Sequence, residues 1–191
     1  MNNRIFGLIG PHGSGKSTLA HRLIDLGVHC IPAYTTETSR QIRNDPYFFK
    51  IIDRDSFFKH EYISQVTYKG EYYGILKQDV LDALTHHKVS ICLLERNSLK
   101  QMQRVLKNKL STIFFITDFS TLVERLLRLG HTKDEMRYHL EYAQNNGEFD
   151  NFQLCDYAFK NSGSVDECVL QLASIMGLTK LLEGEELAEK L

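Results

Sequence analysis

Apolar residues along the chain fall into short runs separated by segments with helical spacing. Runs at Ile5 to Ile9, Val28 to Ile31, Val89 to Leu94, Thr112 to Ile116 and Tyr157 to Phe159 read as buried strands. Lys16 to Leu26, Leu99 to Leu106, Ser120 to Leu129 and Val165 to Ile175 place their apolar residues three and four apart, as helices with one buried face do. A strand buried on both faces belongs to a parallel sheet whose crossovers cover it. The alternation therefore predicts a three-layer α/β fold, a parallel five-stranded sheet with helices on both faces. Pro11, Pro32 and Pro46 lie outside the helix interiors, where a missing N–H would break the hydrogen-bond ladder.

Two stretches depart from this alternation and read as insertions at the rim of the sheet. Residues 34–87 hold the apolar triplet Tyr47-Phe48-Phe49, read as a strand, and a short helical piece near Asp55 to His60. They continue with the alternating run Tyr62 to Val66 and a tight hairpin over Tyr68 to Tyr73 that turns at Gly70. Residues 128–146 follow a helix stop at Gly130 and are dense in charge and histidine, which fits either a mobile lid or a solvated helix face. At 191 residues the chain fits one domain. Its core is expected at 1–33, 88–127 and 147–178, with a polar tail over 179–191.

Composition removes several classes. The net charge is −1, so no global field draws the chain to nucleic acid or to an anionic membrane, and neither partner is expected. Cys30, Cys92, Cys155 and Cys168 are widely spaced and form no C-x-x-C pair, as in a protein with reduced thiols. The first apolar stretch, Ile5 to Ile9, is too short for a signal peptide, and no other approaches the length of a membrane span. A cytoplasmic location follows as the expectation. Protein partners and oligomeric state are left open.

Candidate chemistry begins at Gly10-Pro11-His12-Gly13-Ser14-Gly15-Lys16-Ser17-Thr18, which satisfies G-x-x-x-x-G-K-[ST] between a strand and a helix. Glycines let the backbone wrap phosphate oxygens so that successive N–H groups point inward, and the following helix adds its positive end. Lys16 is placed to reach the β- and γ-phosphates of a nucleoside triphosphate, and the Ser17 hydroxyl to ligate Mg²⁺; Thr18 supports the loop. A guanine-reading N-K-x-D motif is missing, since Asn108-Lys109-Leu110-Ser111 lacks the aspartate and reads as the polar end of a helix. Glu95, after the apolar run Val89 to Leu94, is a candidate for holding Mg²⁺ through water or for touching an acceptor nucleotide; an exposed strand-end carboxylate is the alternative.

In order and spacing these segments resemble the guanylate kinases over nearly the whole chain. Family motifs G-P-S-G-x-G-K-S-T, T-T-R-x-P-R, Y-x-F and G-x-x-Y-G are echoed by the loop, by Thr35-Thr36-Glu37-Thr38-Ser39-Arg40, by Tyr47-Phe48-Phe49 and by Gly70-Glu71-Tyr72-Tyr73-Gly74. The resemblance implies that Arg40, Tyr47 and Tyr73, with Thr36 beside them, hold the phosphate of an accepting nucleoside monophosphate. A guanidinium and two phenols can all donate to one dianion. Leu122 to Gly130 resembles the stretch leading into the family's lid. Asp156 to Asn161 resembles its final strand, where the asparagine approaches adenine; Asn161 with Gly163 reads equally as a turn.

The departures fall on charged positions. Glu37 stands where the family has its first arginine, and must turn away or pair with Arg40 or Arg43 to avoid repelling the incoming phosphate. Ser64 stands where a glutamate reads guanine, with Glu61 on the opposite strand face as a weak substitute. Leu129 and His139 stand in place of lid arginines. Arg125, Arg128, Lys133 and Arg137 remain nearby, and Arg137 is the candidate displaced lid cation. The expected activity is Mg²⁺-dependent transfer from ATP to a nucleoside monophosphate, GMP first. Lys16, Arg40, Arg128 and Arg137 are expected to be catalytic, and Thr36, Arg40, Tyr47, Ser64, Tyr73 and Glu95 to bind the acceptor. A kinase for another phosphorylated acceptor, such as a ribose bisphosphate, and a non-catalytic binding module are the alternatives.

Overall fold

The structure, a computed structural model, describes residues 3–178. In chain order its elements are β1 (Arg4–Ile9), α1 (Lys16–Asp25), β2 (His29–Cys30), β3 (Ala33–Thr35), α2 (Arg40–Arg43), β4 (Phe49–Ile51), α3 (Arg54–Phe57), β5 (Tyr62–Tyr68), β6 (Glu71–Leu76) and α4 (Lys77–His86). There follow β7 (Val89–Leu93), α5 (Arg96–Leu106), a 3₁₀ turn (Lys107–Lys109), β8 (Leu110–Ile116), α6 (Phe119–Arg128), α7 (Lys133–Asn145), a 3₁₀ segment (Glu148–Leu154), β9 (Tyr157–Lys160) and α8 (Val165–Ile175). Among the described residues, no helix is long and apolar enough to cross a membrane.

A five-stranded parallel sheet, ordered β2-β7-β1-β8-β9 and flanked by helices, forms the core. Each core strand lies where an apolar run placed it, but β9 is mostly exposed and not buried as expected, with Phe159 alone of its four residues inside. Five of the six residues of β1 and six of the seven of β8 are buried, which is why these strands read as unbroken apolar runs rather than alternating ones. A second sheet, β4-β3-β6-β5, pairs β3 with β4 in parallel and the rest antiparallel.

Contacts divide the chain into two compact units, one made of the first strand with Val28–Ile113, the other of Gly10–Gly27 with the chain from Phe114 onward. Within the first, the β5–β6 hairpin turns at Lys69 and Gly70, both with positive φ (51° and 81°), the twist that a two-residue hairpin turn needs. The Tyr62 ring lies across Gly74, where a Cβ would sit 2.4 Å from it, so only glycine fits this point of β6. Gln101 on α5 completes the edge of β5, accepting from the Gln65 N–H and donating to its carbonyl, both at 3.0 Å.

Within the second unit, α6, α7 and α8 are each capped by a side chain (Asp118, Thr132, Ser164), the last two as full capping boxes with Glu135 and Glu167. Arg22 on α1 pairs with Asp166 on α8 at 3.0 Å.

Three local expectations are corrected. Tyr47-Phe48-Phe49 is mostly turn. Pro46 has no N–H to give to a ladder, and the Asp45 carbonyl accepts from Phe48 and Phe49 N–H (3.2 and 3.1 Å), so the strand starts only at Phe49. Residues 108–111 end a helix only in part, since Asn108 and Lys109 close the 3₁₀ turn after α5. Lys107, at φ 48°, breaks α5, and Leu110 and Ser111 already belong to β8. A register shift between Tyr62 and Ser64 interrupts the alternation used to place Glu61 opposite Ser64. Glu61 precedes the strand and pairs with Lys77 at 3.2 Å in solvent.

Candidate active site

The phosphate loop leaves β1 at Gly10 and enters α1 at Lys16. Gly10, Gly13 and Gly15 take φ of 149°, 84° and 90°. Gly15 is the tightest of them, since a Cβ there would lie 2.2 Å from the Asn161 amide nitrogen. The Ser14 N–H donates to the Pro11 carbonyl at 3.1 Å, closing the turn. Ser14 is fully buried, and its carbonyl receives the Asn161 amide at 2.7 Å, Arg125 Nη1 at 3.0 Å and, more distantly, Thr117 Oγ1 at 3.4 Å. With that carbonyl drawn toward Arg125 and Asn161, the loop's backbone is held in one orientation. Arg125 also donates to the Asn161 carbonyl at 3.2 Å.

The ammonium of Lys16 spans the loop, donating to the carbonyls of Gly10 (2.6 Å) and Pro11 (2.9 Å) and to Ser14 Oγ (3.2 Å). Burial pushes its pKa down to about 8, against a smaller upward pull from Glu148. A triphosphate favours the charged form, so affinity is complete below this value and is lost as pH rises through it. We expect the Kd for ATP, measured by calorimetry, to be nearly flat from pH 7 to 7.5 and about tenfold weaker by pH 9. A flat profile to pH 9 would contradict the depressed lysine. Ser17 sits half-buried at the mouth of α1 and Thr18 is exposed beside it. His12 packs against His131 and His139.

The other residues expected near the donor lie outward. Arg128 pairs with Glu124 at 2.5 Å and Arg137 with Asp134 at 2.8 Å, each arginine side chain more than two-thirds exposed (77% and 68%). The Asn161 amide is engaged by the phosphate loop.

In the first unit, pairing of β3 with β6 sets Thr35 opposite Tyr73. Thr36 Oγ1 donates to Glu71 and accepts from the Tyr72 N–H at 3.0 Å, while the Thr36 N–H donates to the Tyr72 carbonyl at 3.1 Å. The Tyr73 hydroxyl donates to the Glu37 carboxylate, a phenol partner besides the arginines considered for it. Phe49 meets Tyr73 edge to face at 6.2 Å. Tyr47 is 56% exposed in its turn, and Arg40 opens α2. Ser64 is buried, and its hydroxyl has no hydrogen-bond partner among the described residues. Glu95 caps α5 by accepting the Ser98 N–H, which ties down one of its oxygens.

Arg125 and Thr117 were not singled out as loop contacts, and a single sequence offers little to find them by. Arg125 reads as one more cation on an amphipathic helix, and its partner Ser14 is 111 residues away. Mg²⁺ suits the donors present. Ser17 offers a hard hydroxyl oxygen beside the phosphate cradle, and Mg²⁺ is commonly held by one or two protein oxygens, with phosphates and water completing the shell.

The chain matches the family model described as guanylate kinase over residues 2–178. A curated guanylate kinase of Bartonella henselae is 25% identical over 178 residues, covering 90% of this chain and 79% of that protein. One from Mycoplasma pneumoniae is 28% identical over 174 residues, covering 77% and 71%. Among solved structures, guanylate kinase from Anaplasma phagocytophilum superposes with a TM-score of 0.69 over 96% of this chain and 95% of that one, at 18% identity. That likeness supports the fold.

Proposed function

The chain belongs to the guanylate kinase family, and from that premise we propose that it transfers the γ-phosphoryl group of ATP to GMP, yielding ADP and GDP. The observation that carries this reading is the intact phosphate loop, with Lys16 inside it and Ser14 tied down behind it. Phosphoryl transfer asks little covalent chemistry of the protein, so Lys16 and the loop N–H groups act by position and charge. Mg²⁺, for which Ser17 would supply a hydroxyl oxygen, would neutralise charge on the phosphates. A monophosphate ionised at neutral pH is itself the nucleophile and needs no general base.

On the acceptor side, Arg40, Tyr47, Tyr73 and Thr36 would receive the monophosphate. Ser64 supports a base-reading role, because a buried hydroxyl without a partner costs about 1–3 kcal/mol and a purine N–H would recover part of it. Arg128 and Arg137, both held by acidic neighbours, would reach the transferring phosphoryl only by giving up those pairs. ATP and GMP are the partners of this reading, and the cytoplasm, where both are plentiful, is its location.

Glu37 is the residue that sets this chain's acceptor affinity apart. Its carboxylate occupies the Tyr73 hydroxyl and repels an arriving dianion. Glu37→Gln should lower KM for GMP about fivefold, the worth of roughly 1 kcal/mol for two charges near 4 Å in water, with kcat much less changed. An unchanged or higher KM would remove Glu37 from the acceptor site. The reading as a whole is tested by incubating the chain with ATP, Mg²⁺ and a panel of nucleoside monophosphates while following ADP release. GMP-dependent turnover well above that of AMP, CMP and UMP is expected; equal rates with and without any monophosphate would refute it.

A further inference from the structure

We propose that His12, His131 and His139 form a binding site for a divalent transition-metal ion of the Zn²⁺ class, which joins the start of α7 to the phosphate loop. Each of the three half-buried rings offers a nitrogen, and these nitrogens all lie within 4.8 Å of one another. Among the described residues no other group of three histidine, cysteine or carboxylate side chains converges in this way. His12 Nε2 stands 3.1 Å from His131 Nε2. Two imidazoles on one tetrahedral ion, with bonds of about 2.0–2.1 Å, hold their nitrogens about 3.3 Å apart, so this pair already has the spacing of ligands. The ring centroid of His139 is 4.4 Å from that of His12 and 5.1 Å from that of His131, within reach of a side-chain rotation.

The surroundings orient the rings. His131 turns Nε2 toward His12 while its Nδ1 faces the Glu135 carboxylate at 3.8 Å. A carboxylate behind the far nitrogen is the arrangement that fixes the tautomer and raises the basicity of a metal-bound histidine. Glu135 is itself held by the Thr132 N–H (2.8 Å) and hydroxyl (3.0 Å) in the capping box of α7. Residues 131, 135 and 139 are spaced four apart, so the box, the carboxylate and the second histidine share one helix face.

Three neutral imidazoles favour Zn²⁺ and its neighbours over Mg²⁺ or Ca²⁺, which take oxygen ligands. Three protein ligands leave one tetrahedral position open for water or for a phosphate oxygen. His12 lies inside the phosphate loop, so a bound ion adds positive charge there and pins the segment from His131 to His139 to it. The site is distinct from the Mg²⁺ position at Ser17 and stands whether or not GMP is the acceptor.

The test uses the full chain without any affinity tag. Zn²⁺ is titrated against a chromophoric chelator, and Co²⁺ is added separately for its visible spectrum. One ion per chain at micromolar or tighter affinity is expected, with tetrahedral Co²⁺ bands and no sulfur-to-metal charge-transfer band. His131→Gln and His139→Gln should each weaken Zn²⁺ at least about tenfold, and Glu135→Gln by a smaller factor, as for ligands and the group that orients them. Melting curves show that each variant is folded. The proposal is overturned if folded His131→Gln and His139→Gln chains bind Zn²⁺ as the unmodified chain does. A thiolate charge-transfer band or the lack of micromolar binding would overturn it equally.

Discussion

Lys16→Met should lower ATP-dependent phosphorylation of GMP by about 10³-fold or more at saturating substrates, the scale on which losing a cation on the transferring phosphates is felt. The lysine's ammonium lies among the Gly10 and Pro11 carbonyls and the Ser14 hydroxyl, where no other cation of the loop can replace it. Burial disfavours that charge and pushes the pKa down to about 8, so removing the charge is not expected to cost folding stability. A methionine of similar length removes the charge and its desolvation cost together, and the melting temperature should stay level or rise. Turnover within tenfold of the unmodified chain would take Lys16 out of the chemistry.

Arg125→Met should weaken ATP by about 10- to 100-fold, because a hydrogen bond from a charged donor to a buried carbonyl contributes about 1.5–3 kcal/mol. Arg125 touches no phosphate in this account. It holds the Ser14 and Asn161 carbonyls, and through them the orientation of the loop's N–H groups. The loss should therefore appear in nucleotide affinity, by calorimetry, with the cooperative melt retained. Arg125→Lys, which restores one charged donor, should recover part of it. Unchanged ATP affinity in a folded Arg125→Met chain would show that Asn161 and Thr117 hold the loop without help.

The core of the fold was legible because its signals are local. Ile5 to Ile9, Val89 to Leu94 and Thr112 to Ile116 are apolar at consecutive positions since their strands are buried on both faces. The phosphate loop was legible for a related reason, as glycines with positive φ leave a motif that can be read in one pass. What stayed hidden depends on partners far along the chain. Glu37 was expected to turn away or to find Arg40 or Arg43, its neighbours in sequence. The β3–β6 register brings it Tyr73, 36 positions away. His12 and His131 meet across 119 positions, and nothing in either local segment announces it.

Tyr47-Phe48-Phe49 failed for a local reason that was available. Pro46 directly precedes the triplet, and its missing N–H favours a turn closed by Asp45 over an early strand. The shift between Tyr62 and Ser64 was not available, because a bulge leaves the alternating pattern almost unchanged in composition.

The central claim is that this loop serves transfer to GMP and not hydrolysis. ATP labelled at the γ-phosphate, mixed with excess chain, GMP and Mg²⁺ in a single turnover, tests it most directly. The label is expected in the β-phosphate of GDP, with little inorganic phosphate, and Lys16→Met should abolish both products. Label found only in inorganic phosphate, or ATP left intact by a chain that binds it, would show that the loop does not serve transfer to GMP.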